Sequence, residues 1–300
     1  MREVVFDRLE RAGIRTVRNL SLSSVCTFRV GGICEIGIYP KNEEELALAL
    51  SLLREEEIPV FVIGRGSNLL FGDGILRSAL ILTEDMNVVQ RTGNRIYAAA
   101  GMGLGALAAW AAKEELGGLE FARGIPGSVG GAVYMNAGAY GSSMEEIVRS
   151  TRAMDRNTGE VFTLTDHGFG YRTSVYMKRS EWICLGAELS LTPRNREEIE
   201  NAMAELARKR RESQPLEYPS AGSYFKRPRG YFAGKLIEDA GLKGARVGDA
   251  EISTKHAGFL INRGNATARD ILALETLVKE RVFEQFGVRL QPEVQKIETE

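Results

Sequence analysis

The sequence predicts an α+β fold of more than one domain, and three observations lead to this prediction. At 300 residues the chain is longer than one hydrophobic core usually organises. Its first part carries a β-α-β pattern that ends in a glycine-rich loop. Later parts show mixed strand patterns with few helices, which is typical of an α+β domain and not of a doubly wound sheet.

The first domain is predicted over residues 1–84, joined by a C-terminal strand within residues 289–300. Two strands and a glycine turn are read from TFRVGG and ICEIGIYP. A helix follows in NEEELALALSLLREEEI, with Asn42 as its N-cap, because apolar residues recur there at helical spacing. A buried strand, PVFVIG, then leads into the glycine-rich loop GRGSNLLFGDG.

Two further domains are predicted over residues 85–213 and 214–288. The second contains the strand RIYAAA, the helix ALAAWAAKEEL, a dense glycine stretch and several strands. The third follows a proline-bounded linker and ends in a helix, for which Thr267 and Gly287 are the expected caps. The tail RLQPEVQKI alternates enough to be a strand, which is expected to return to the first domain.

Composition excludes several classes of function. The net charge of -1 lacks the basic surplus of a nucleic-acid binder. No apolar run reaches the roughly 18 residues of a membrane span, and charges interrupt the first residues as in an amphipathic helix, not a signal peptide. Three cysteines without CxxC spacing and two histidines predict neither a disulfide framework nor a metal site. We therefore expect a cytoplasmic protein with a small-molecule partner.

Two glycine clusters, at 64–68 and 124–131, are candidate anion-binding loops. Glycine lets the backbone approach an anion closely, and consecutive N–H groups can form an anion-binding nest. Two such loops in different domains could hold one pyrophosphate. The structural alternative is that both clusters are tight turns.

A third cluster, residues 101–106, matches the dinucleotide fingerprint GxGxxA after a strand and before a helix. Glu120 lies near the distance expected of the ribose-binding acid. However, that acid should end a second parallel strand, and LGGLEFA is too short and too glycine-rich to form one. A Rossmann site is therefore kept only as an alternative.

Six segments follow one another along nearly the whole chain: TFRVGG (27–32), GRGSNLL (64–70), GIPGSVGGA (124–132), GYRTS (170–174), PSAGSYFKRP (219–228) and QPEV (291–294). In this order and at this spacing they resemble the UDP-N-acetylenolpyruvoylglucosamine reductase family. The resemblance implies a two-part FAD-binding fold of the vanillyl-alcohol-oxidase type plus an α/β substrate-binding domain. It also implies the shorter subtype of the family, acting as a monomer.

The resemblance further implies that the two loops hold FAD, with NADPH as co-substrate and UDP-N-acetyl-enolpyruvoylglucosamine as substrate in peptidoglycan precursor synthesis. Since neither loop contains His or Cys, the FAD is expected to be noncovalent. The implied cofactor-binding residues are Gly64, Arg65, Gly66, Ser67, Asn68, Gly124, Ile125, Pro126, Gly127, Ser128, Gly130 and Gly131.

Three catalytic residues are implied by the same resemblance. Arg172 would face the substrate carboxylate, Ser223 would donate a proton, and Glu293 would act as a protonated carboxyl. Their structural alternatives are an interdomain salt bridge, a turn-capping serine and a solvated glutamate. Implied substrate contacts are Arg172, Tyr176, Gln214 and Lys226, although Gln214 and Arg227 stand where some members have Lys and Asn.

Two other functions remain open from the sequence. One is a different flavin enzyme of the same fold that oxidises an alcohol or a sugar. The other is a non-catalytic nucleotide-binding module, which would leave the joint match of Arg172, Ser223 and Glu293 to the family pattern without explanation.

Overall fold

A computed structural model describes residues 2–300, with side chains from residue 3 onward. This part of the chain divides into two compact units. The first comprises the residues up to Arg18 together with Ile36–Arg65 and Ser78–Lys209. The second comprises Asn19–Glu35, Gly66–Arg77 and Arg210–Glu300.

The helices are α1 (Arg2–Arg11), α2 (Glu43–Glu55), α3 (Leu104–Lys113), α4 (Val129–Met135), α5 (Met144–Ile147), α6 (Val175–Lys178), α7 (Arg196–Ser213), α8 (Ala233–Asp239) and α9 (Ala268–Phe286). Short 3₁₀ turns lie at Leu22–Ser24, Thr83–Asp85 and Glu120–Gly124. Within residues 2–300, none of the helices is both long and apolar enough to cross a bilayer.

The strands are β1 (Arg15–Ser21), β2 (Ile33–Tyr39), β3 (Val60–Ile63), β4 (Leu69–Phe71), β5 (Ile75–Leu76), β6 (Ala79–Leu82), β7 (Val89–Thr92), β8 (Arg95–Ala99), β9 (Leu116–Gly117), β10 (Gly138–Ala139), β11 (Ser142–Ser143), β12 (Val148–Asp155), β13 (Val161–Leu164), β14 (Trp182–Ser190), β15 (Thr192–Pro193), β16 (Arg246–Val247), β17 (Ala250–Ile252), β18 (Leu260–Asn262) and β19 (Gln295–Ile297).

Helix ends follow the local sequence signals. The side chain of Asn42 accepts a hydrogen bond from the N–H of Glu45 and begins α2 as predicted. Thr267 and Asp270 form a capping box at the start of α9. Gly287 ends α9 in the left-handed region with φ of 68°. These predictions are confirmed because each cap depends only on residues close in the chain.

The first unit contains a parallel β-α-β arrangement. Strand β6 lies between β3 and residues 37–38 of β2, and pairs in parallel with both. Helix α2 connects β2 to β3 and buries Leu46 and Leu53 completely. These side chains join one apolar cluster with residues of α1 and of the strands. Burial of an amphipathic helix face is what stabilises a helix of this length.

A second sheet of the same unit is antiparallel, in the order β13-β12-β14-β8-β7. Helix α3 contributes buried Leu and Ala side chains, and α4 contributes buried Val and Ala side chains, to a core shared with β8, β12 and β14. Three buried alanines of α3, Ala108, Ala111 and Ala112, present small side chains to this core. The sheet places the end of β8 and the glycine segment after it beside the start of α4.

The second unit contains the antiparallel sheet β16-β17-β18, with α9 contacting β16 and β17. Strand β19 pairs in parallel with β4, in the register Lys296 to Leu70. Residues Ile33 and Cys34 pair in parallel with β5. Its core includes the fully buried side chains of Phe28 and Tyr224.

The division into two units differs from the three domains predicted from the sequence. Segments 19–35 and 66–77 were placed in the first domain, but in the structure they pack with residues 210–300. The pairing of β4 with β19 agrees with the expected return of the C-terminal strand to residues 1–84. That segments 19–35 and 66–77 also pack with residues 210–300 was not expected, because such long-range packing has no local signature in the sequence.

Candidate active site

The first glycine-rich loop begins directly after β3 and is closely fitted to the second loop. A Cβ built on Gly64 would lie 2.2 Å from the Ser128 Oγ. A Cβ on Gly103, the residue before α3, would come within 2.8 Å of the guanidinium carbon of Arg65. The Arg65 guanidinium ends a flexible side chain and could turn away from such a Cβ, whereas a Cβ at Gly64 would displace the Ser128 hydroxyl that accepts from the N–H of Gly131. Within the first unit, Gly64 and Arg65 reach the second loop and the start of α3.

The second glycine-rich loop, residues 124–131, is held by the segment that follows β8. The N–H of Val129 donates to the carbonyl of Met102 at 2.9 Å. The N–H of Gly130 donates to the carbonyl of Ala100 at 2.8 Å. These bonds fix a glycine backbone that an anion can approach closely, because no side chain intervenes.

In the second loop Gly131 fits a bound pyrophosphate better than a purely structural turn, whereas Gly130 packs against Ala100, whose Cβ a side chain would meet at 2.9 Å. Gly131 is not demanded by the packing of the protein, since an added Cβ would lie 3.6 Å from the Ser128 Oγ, an ordinary contact. Gly64, by contrast, has no such room. The absence of a side chain at Gly131 leaves space for a ligand, so the residues present fit the FAD expected from the sequence.

The Rossmann alternative at residues 101–106 is wrong. A dinucleotide fingerprint requires a strand with a parallel neighbour after the helix. Strand β8 instead pairs antiparallel with both β14 and β7. Glu120 accepts a hydrogen bond from the N–H of Gly118 at 2.7 Å and forms an ion pair with Arg194 at 3.2 Å. The fingerprint therefore matches an ordinary strand-to-helix turn.

Arg172 lies in the first unit, on the loop between β13 and α6. Its φ is 53°, a left-handed conformation that is uncommon outside glycine. Its Nη2 donates to the carbonyl of Gly138 at 3.1 Å, and its guanidinium carbon lies 5.2 Å from the centroid of the Tyr171 ring. Strained backbone of this kind clusters at functional sites. The fold thus holds a permanently charged group in a defined conformation.

Asn136 anchors this loop, and the sequence analysis missed it. It is buried, has φ of 44° and ends α4. Its Nδ2 donates to the carbonyl of Gly170 at 3.0 Å, and its Oδ1 accepts from the N–H of Glu145 at 3.0 Å. An Asn directly after an apolar helix and before Ala-Gly is a known signal for a left-handed cap and could have identified it.

Tyr176, expected to contact the substrate, lies in the hydrophobic core of the first unit. Its side chain is only 2% exposed, and its hydroxyl is 2.7 Å from the Thr151 Oγ1. Burial raises the pKa of the Tyr176 hydroxyl. A contact with substrate would require this side chain to leave the core. Tyr176 lies on α6, a helix of a single turn, and so short a segment has no apolar periodicity from which its buried face could be predicted.

Ser223 and Glu293 are brought together within the second unit. Ser223 is exposed and lies between Gly222, which has φ of 79°, and the buried Tyr224. The N–H of Glu293 donates to the carbonyl of Tyr224 at 2.8 Å. Two residues that are 70 positions apart in the sequence therefore lie on directly bonded segments.

The second half of the first glycine loop joins the same cluster. The side-chain Nδ2 of Asn68 donates to the carbonyl of Glu293 at 3.1 Å, and the N–H of Gln295 donates to the carbonyl of Asn68 at 2.9 Å. The N–H of Thr27 donates to the carbonyl of Gly66 at 3.2 Å. Expected cofactor-binding residues therefore neighbour two expected catalytic residues in the second unit.

The expected substrate contacts of the second unit show two different environments. Lys226 is half-buried, and its N–H donates to the carbonyl of Gln291 at 2.8 Å. The Oε1 of Gln214 is buried and has no hydrogen-bond partner among the described residues. A buried acceptor without a partner is costly and would be satisfied by a donor group of a ligand. Arg227 stacks over the Phe232 ring at 3.9 Å.

The contacts of both histidines indicate structural roles. His167 is buried and stacks on Phe169 at 4.9 Å. The Nδ1 of His256 accepts from the N–H of Gly258 at 3.0 Å. Burial lowers the pKa of both imidazoles. Over residues 2–300 no group of three His, Cys, Asp or Glu side chains is arranged to hold a metal ion.

Two family models match the chain. Residues 35–165 match an FAD binding domain. Residues 214–297 match the C-terminal domain of UDP-N-acetylenolpyruvoylglucosamine reductase. The first range contains both glycine loops, and the second contains Ser223 and Glu293.

Relatives with the same name cover nearly the whole chain. The UDP-N-acetylenolpyruvoylglucosamine reductase of Clostridium novyi is 45% identical over 92% of this chain and 90% of its own length. That of Caldanaerobacter subterraneus is 43% identical over 98% of both chains. The crystal structure of the Thermus caldophilus enzyme of this name is 36% identical, with a TM-score of 0.81 over 94% of this chain and 99% of its own.

The match to the FAD-binding domain and the structural likeness confirm the predicted α+β class with an FAD-binding fold. They also make the chain an FAD-dependent oxidoreductase by family, in agreement with the glycine contacts that leave room for a pyrophosphate. With identities above 40% over nine-tenths of the sequence, the chain belongs to the UDP-N-acetylenolpyruvoylglucosamine reductase family.

Proposed function

We propose that this chain reduces UDP-N-acetyl-enolpyruvoylglucosamine to UDP-N-acetylmuramate with electrons from NADPH, using noncovalently bound FAD. The observation that carries the proposal is made in one unit of a chain of this family: Glu293 bonds directly to Tyr224, the residue next to Ser223, and to the loop residue Asn68. A non-catalytic module has no need to fix these three residues together.

The two glycine loops would hold the FAD. The glycines of residues 64–68 and 124–131 would let the pyrophosphate approach the backbone closely, and the half-buried Ser67 would add a hydroxyl group. When bound, FAD supplies the two-electron chemistry that links NADPH oxidation to substrate reduction. The residues of the chain must orient the substrate, stabilise charge and deliver a proton.

Arg172 would stabilise the charge that develops on the substrate. Reduction at the vinyl carbon distal to the ether oxygen moves negative charge onto the carboxylate as an enolate. A guanidinium can bind both carboxylate oxygens at once and remains charged at every relevant pH. Its fixed left-handed backbone supports this role, because a preorganised charge stabilises a transition state most effectively.

Ser223 would supply the proton for the carbon that bears the ether oxygen. A serine hydroxyl is a weak acid, so nearby positive charge must stabilise it as the proton leaves. Lys226 lies three residues away on the same segment and is half-buried. The exposure of Ser223 beside a left-handed Gly222 leaves its hydroxyl accessible to a substrate.

Glu293 would act as a neutral carboxyl group next to the developing charge. An ionised carboxylate there would oppose the enolate, whereas a protonated one can donate a hydrogen bond. Its backbone is held on both sides, by the Tyr224 carbonyl and by the Asn68 side chain. Partial burial of Glu293 suits a carboxyl group that must stay protonated.

Lys226 and Gln214 would contact the diphosphate and nucleoside parts of the substrate. An ammonium group suits a phosphate, and the unpaired Oε1 of Gln214 suits an N–H donor such as that of uracil. Tyr176 is buried and would contact the substrate only after its side chain leaves the core. The use of NADPH and of a peptidoglycan precursor implies a cytoplasmic enzyme, and we expect it to act as a monomer.

The proposal is tested by turnover of the purified FAD-loaded chain. NADPH oxidation, followed by its near-ultraviolet absorbance, is expected only when UDP-N-acetyl-enolpyruvoylglucosamine is present. Mass spectrometry should show a product that is heavier than the substrate by two hydrogen atoms. Oxidation of NADPH with no change in the sugar nucleotide would contradict the substrate assignment. Oxidation of alcohols or sugars instead would favour the other flavin-enzyme class.

A further inference from the structure

We propose that Tyr224, Glu275 and Lys296 form a positioning network that fixes Ser223 and Glu293 relative to each other. The inference rests on the proposed function, because it concerns the two residues that would act on the substrate. Glu275 and Lys296 lie outside every motif that carried the family resemblance. Three contacts in the second unit carry the network. They join the Glu293 N–H to the Tyr224 carbonyl, the Tyr224 hydroxyl to Glu275, and Lys296 to Glu275.

Tyr224 is the central member of the network and is held at three points. Its N–H donates to the carbonyl of Gly258 at 2.9 Å, and its carbonyl accepts from the N–H of Glu293 at 2.8 Å. Its hydroxyl donates to the Glu275 Oε2 at 2.7 Å. The side chain is 1% exposed and its ring packs edge-on against Phe28. The residue next to Ser223 is therefore fixed through both its backbone and its side chain.

Glu275 is a buried carboxylate in the middle of α9, with only 3% of its surface exposed. Lys296 Nζ lies 2.9 Å from its Oε1 and 2.7 Å from its Oε2, and Lys279 Nζ lies 3.5 Å from its Oε1. A buried charge of this kind gains little stability over an apolar residue of the same size. Its directional bonds, however, specify one position for the hydroxyl of Tyr224.

Lys296 closes the network into a ring. It belongs to β19 and follows Glu293 by three residues, so the chain itself connects the two. The ring runs from Glu293 to the Tyr224 backbone, through its hydroxyl to Glu275, and back through Lys296. Burial and the Glu275 carboxylate raise the pKa of Tyr224 above 10.0, so its hydroxyl remains a donor. The segments of Ser223 and Glu293 are thus joined at backbone and side-chain level.

The test uses the FAD-loaded chain and three variants, Tyr224→Phe, Glu275→Gln and Lys296→Met. The two half-reactions are followed separately under anaerobic conditions by the flavin absorbance. We expect reoxidation by the enolpyruvyl substrate to slow by about 10- to 100-fold, because small displacements of reacting groups cost this much. Reduction by NADPH and the Kd for substrate in the oxidised protein should keep their wild-type values.

Controls separate positioning from a loss of folding. Glu280→Gln removes an exposed carboxylate from the same helix and should leave both half-reactions unchanged. Lys296→Arg restores a cation and should recover rate that Lys296→Met loses. Tyr224→Phe keeps the buried ring and removes a single hydroxyl, so it tests the network even if Glu275→Gln does not fold.

The outcomes distinguish the two proposals. If the wild-type chain is reduced by NADPH but never reoxidised by the substrate, the proposed function fails and the network has no reaction to serve. If the wild type completes both half-reactions and Tyr224→Phe slows neither, the function stands and the positioning role is overturned. Equal slowing of both half-reactions by Tyr224→Phe and Lys296→Met would also overturn it, since that is the signature of general structural damage.

Discussion

The two segments that carry the proposed catalytic residues are held in different ways. In the first unit, Arg172 lies on a loop with a left-handed backbone, anchored chiefly through the buried side chain of Asn136. In the second unit, Ser223 and Glu293 lie on irregular segments joined through the backbone of Tyr224, and the Tyr224 hydroxyl bonds to Glu275, a buried carboxylate paired with Lys296. The first arrangement combines a left-handed backbone with side-chain bonds to the segment that follows α4, and the second depends on bonds between segments far apart in the sequence.

This difference suggests which changes each region tolerates. A loop with a strained backbone is expected to shift when a buried anchor such as Asn136 is removed. Segments held by several bonds are expected to lose position in smaller steps, since each bond contributes about 0.5–1.5 kcal/mol. The following substitutions are ordered by expected effect, beginning with the proposed catalytic residues and ending with the buried His167.

Ser223→Ala should have the largest effect. Removal of a general acid typically costs about 100- to 10,000-fold in the step that it serves. We expect reoxidation by the enolpyruvyl substrate to slow by this factor, while reduction by NADPH remains at the wild-type rate. Stopped-flow absorbance of the flavin measures both. Equal losses in the two half-reactions would show that Ser223 is not the proton donor.

Arg172→Gln should come next. Loss of one preorganised charge-stabilising group costs about 100- to 1,000-fold, so reoxidation by substrate should fall by that amount and the Kd for substrate should rise. Arg172→Lys keeps the positive charge but cannot make the bidentate contact, so its reoxidation rate should lie between those of the wild type and Arg172→Gln. Wild-type reoxidation rates in Arg172→Gln would leave Arg172 as a structural residue of its loop.

Asn136→Ala should destabilise the fold and disturb the Arg172 loop. It removes the bonds to Gly170 and Glu145 and places a Cβ-bearing residue without a local hydrogen bond at φ of 44°. We expect the free energy of unfolding in urea to fall by about 1–3 kcal/mol. Asn136→Gly is the matched control, because it relieves the strain but still lacks the bonds. If the glycine variant matched the wild type, the anchor would be unnecessary.

His167 should give the smallest effect, visible as a dependence of stability on pH. Burial lowers its pKa below 6.5 in the folded chain, so the unfolded chain binds more protons just below that pH. The free energy of unfolding should therefore decrease as the pH falls below 6.5, by at most about 1.4 kcal/mol per pH unit for this group. Urea titrations from neutral to mildly acidic pH should show a shallower decrease for His167→Phe. An unchanged slope would contradict this contribution.

Features encoded by neighbouring residues were predictable from the sequence. Asn42, Thr267 and Gly287 cap their helices as expected, because a cap is decided within one helical turn. The β-α-β pattern around α2 was also visible in the spacing of apolar residues. The return of the C-terminal strand to residues 1–84 was expected, but its partner β4 and their parallel direction were not, because the two segments lie more than 220 residues apart.

The candidate site was predictable only in part for the same reason. The motifs located Ser223 and Glu293, but not the hydrogen bond that joins their segments. Glu275 lies outside every recognised motif on a helix rich in charged residues, and only the structure shows its burial. The fingerprint at 101–106 misled because it describes a turn, whereas a Rossmann site also needs the parallel sheet.

The most direct test of the account is one anaerobic visible spectrum of the FAD-loaded chain, recorded after sequential additions. NADPH should bleach the flavin bands, and the enolpyruvyl substrate alone should restore them in the wild type. In Ser223→Ala the bleaching should be unchanged and the recovery nearly abolished. Bands that bleach but do not return with substrate in the wild type would refute the substrate assignment. A protein that binds no FAD would contradict the account as a whole.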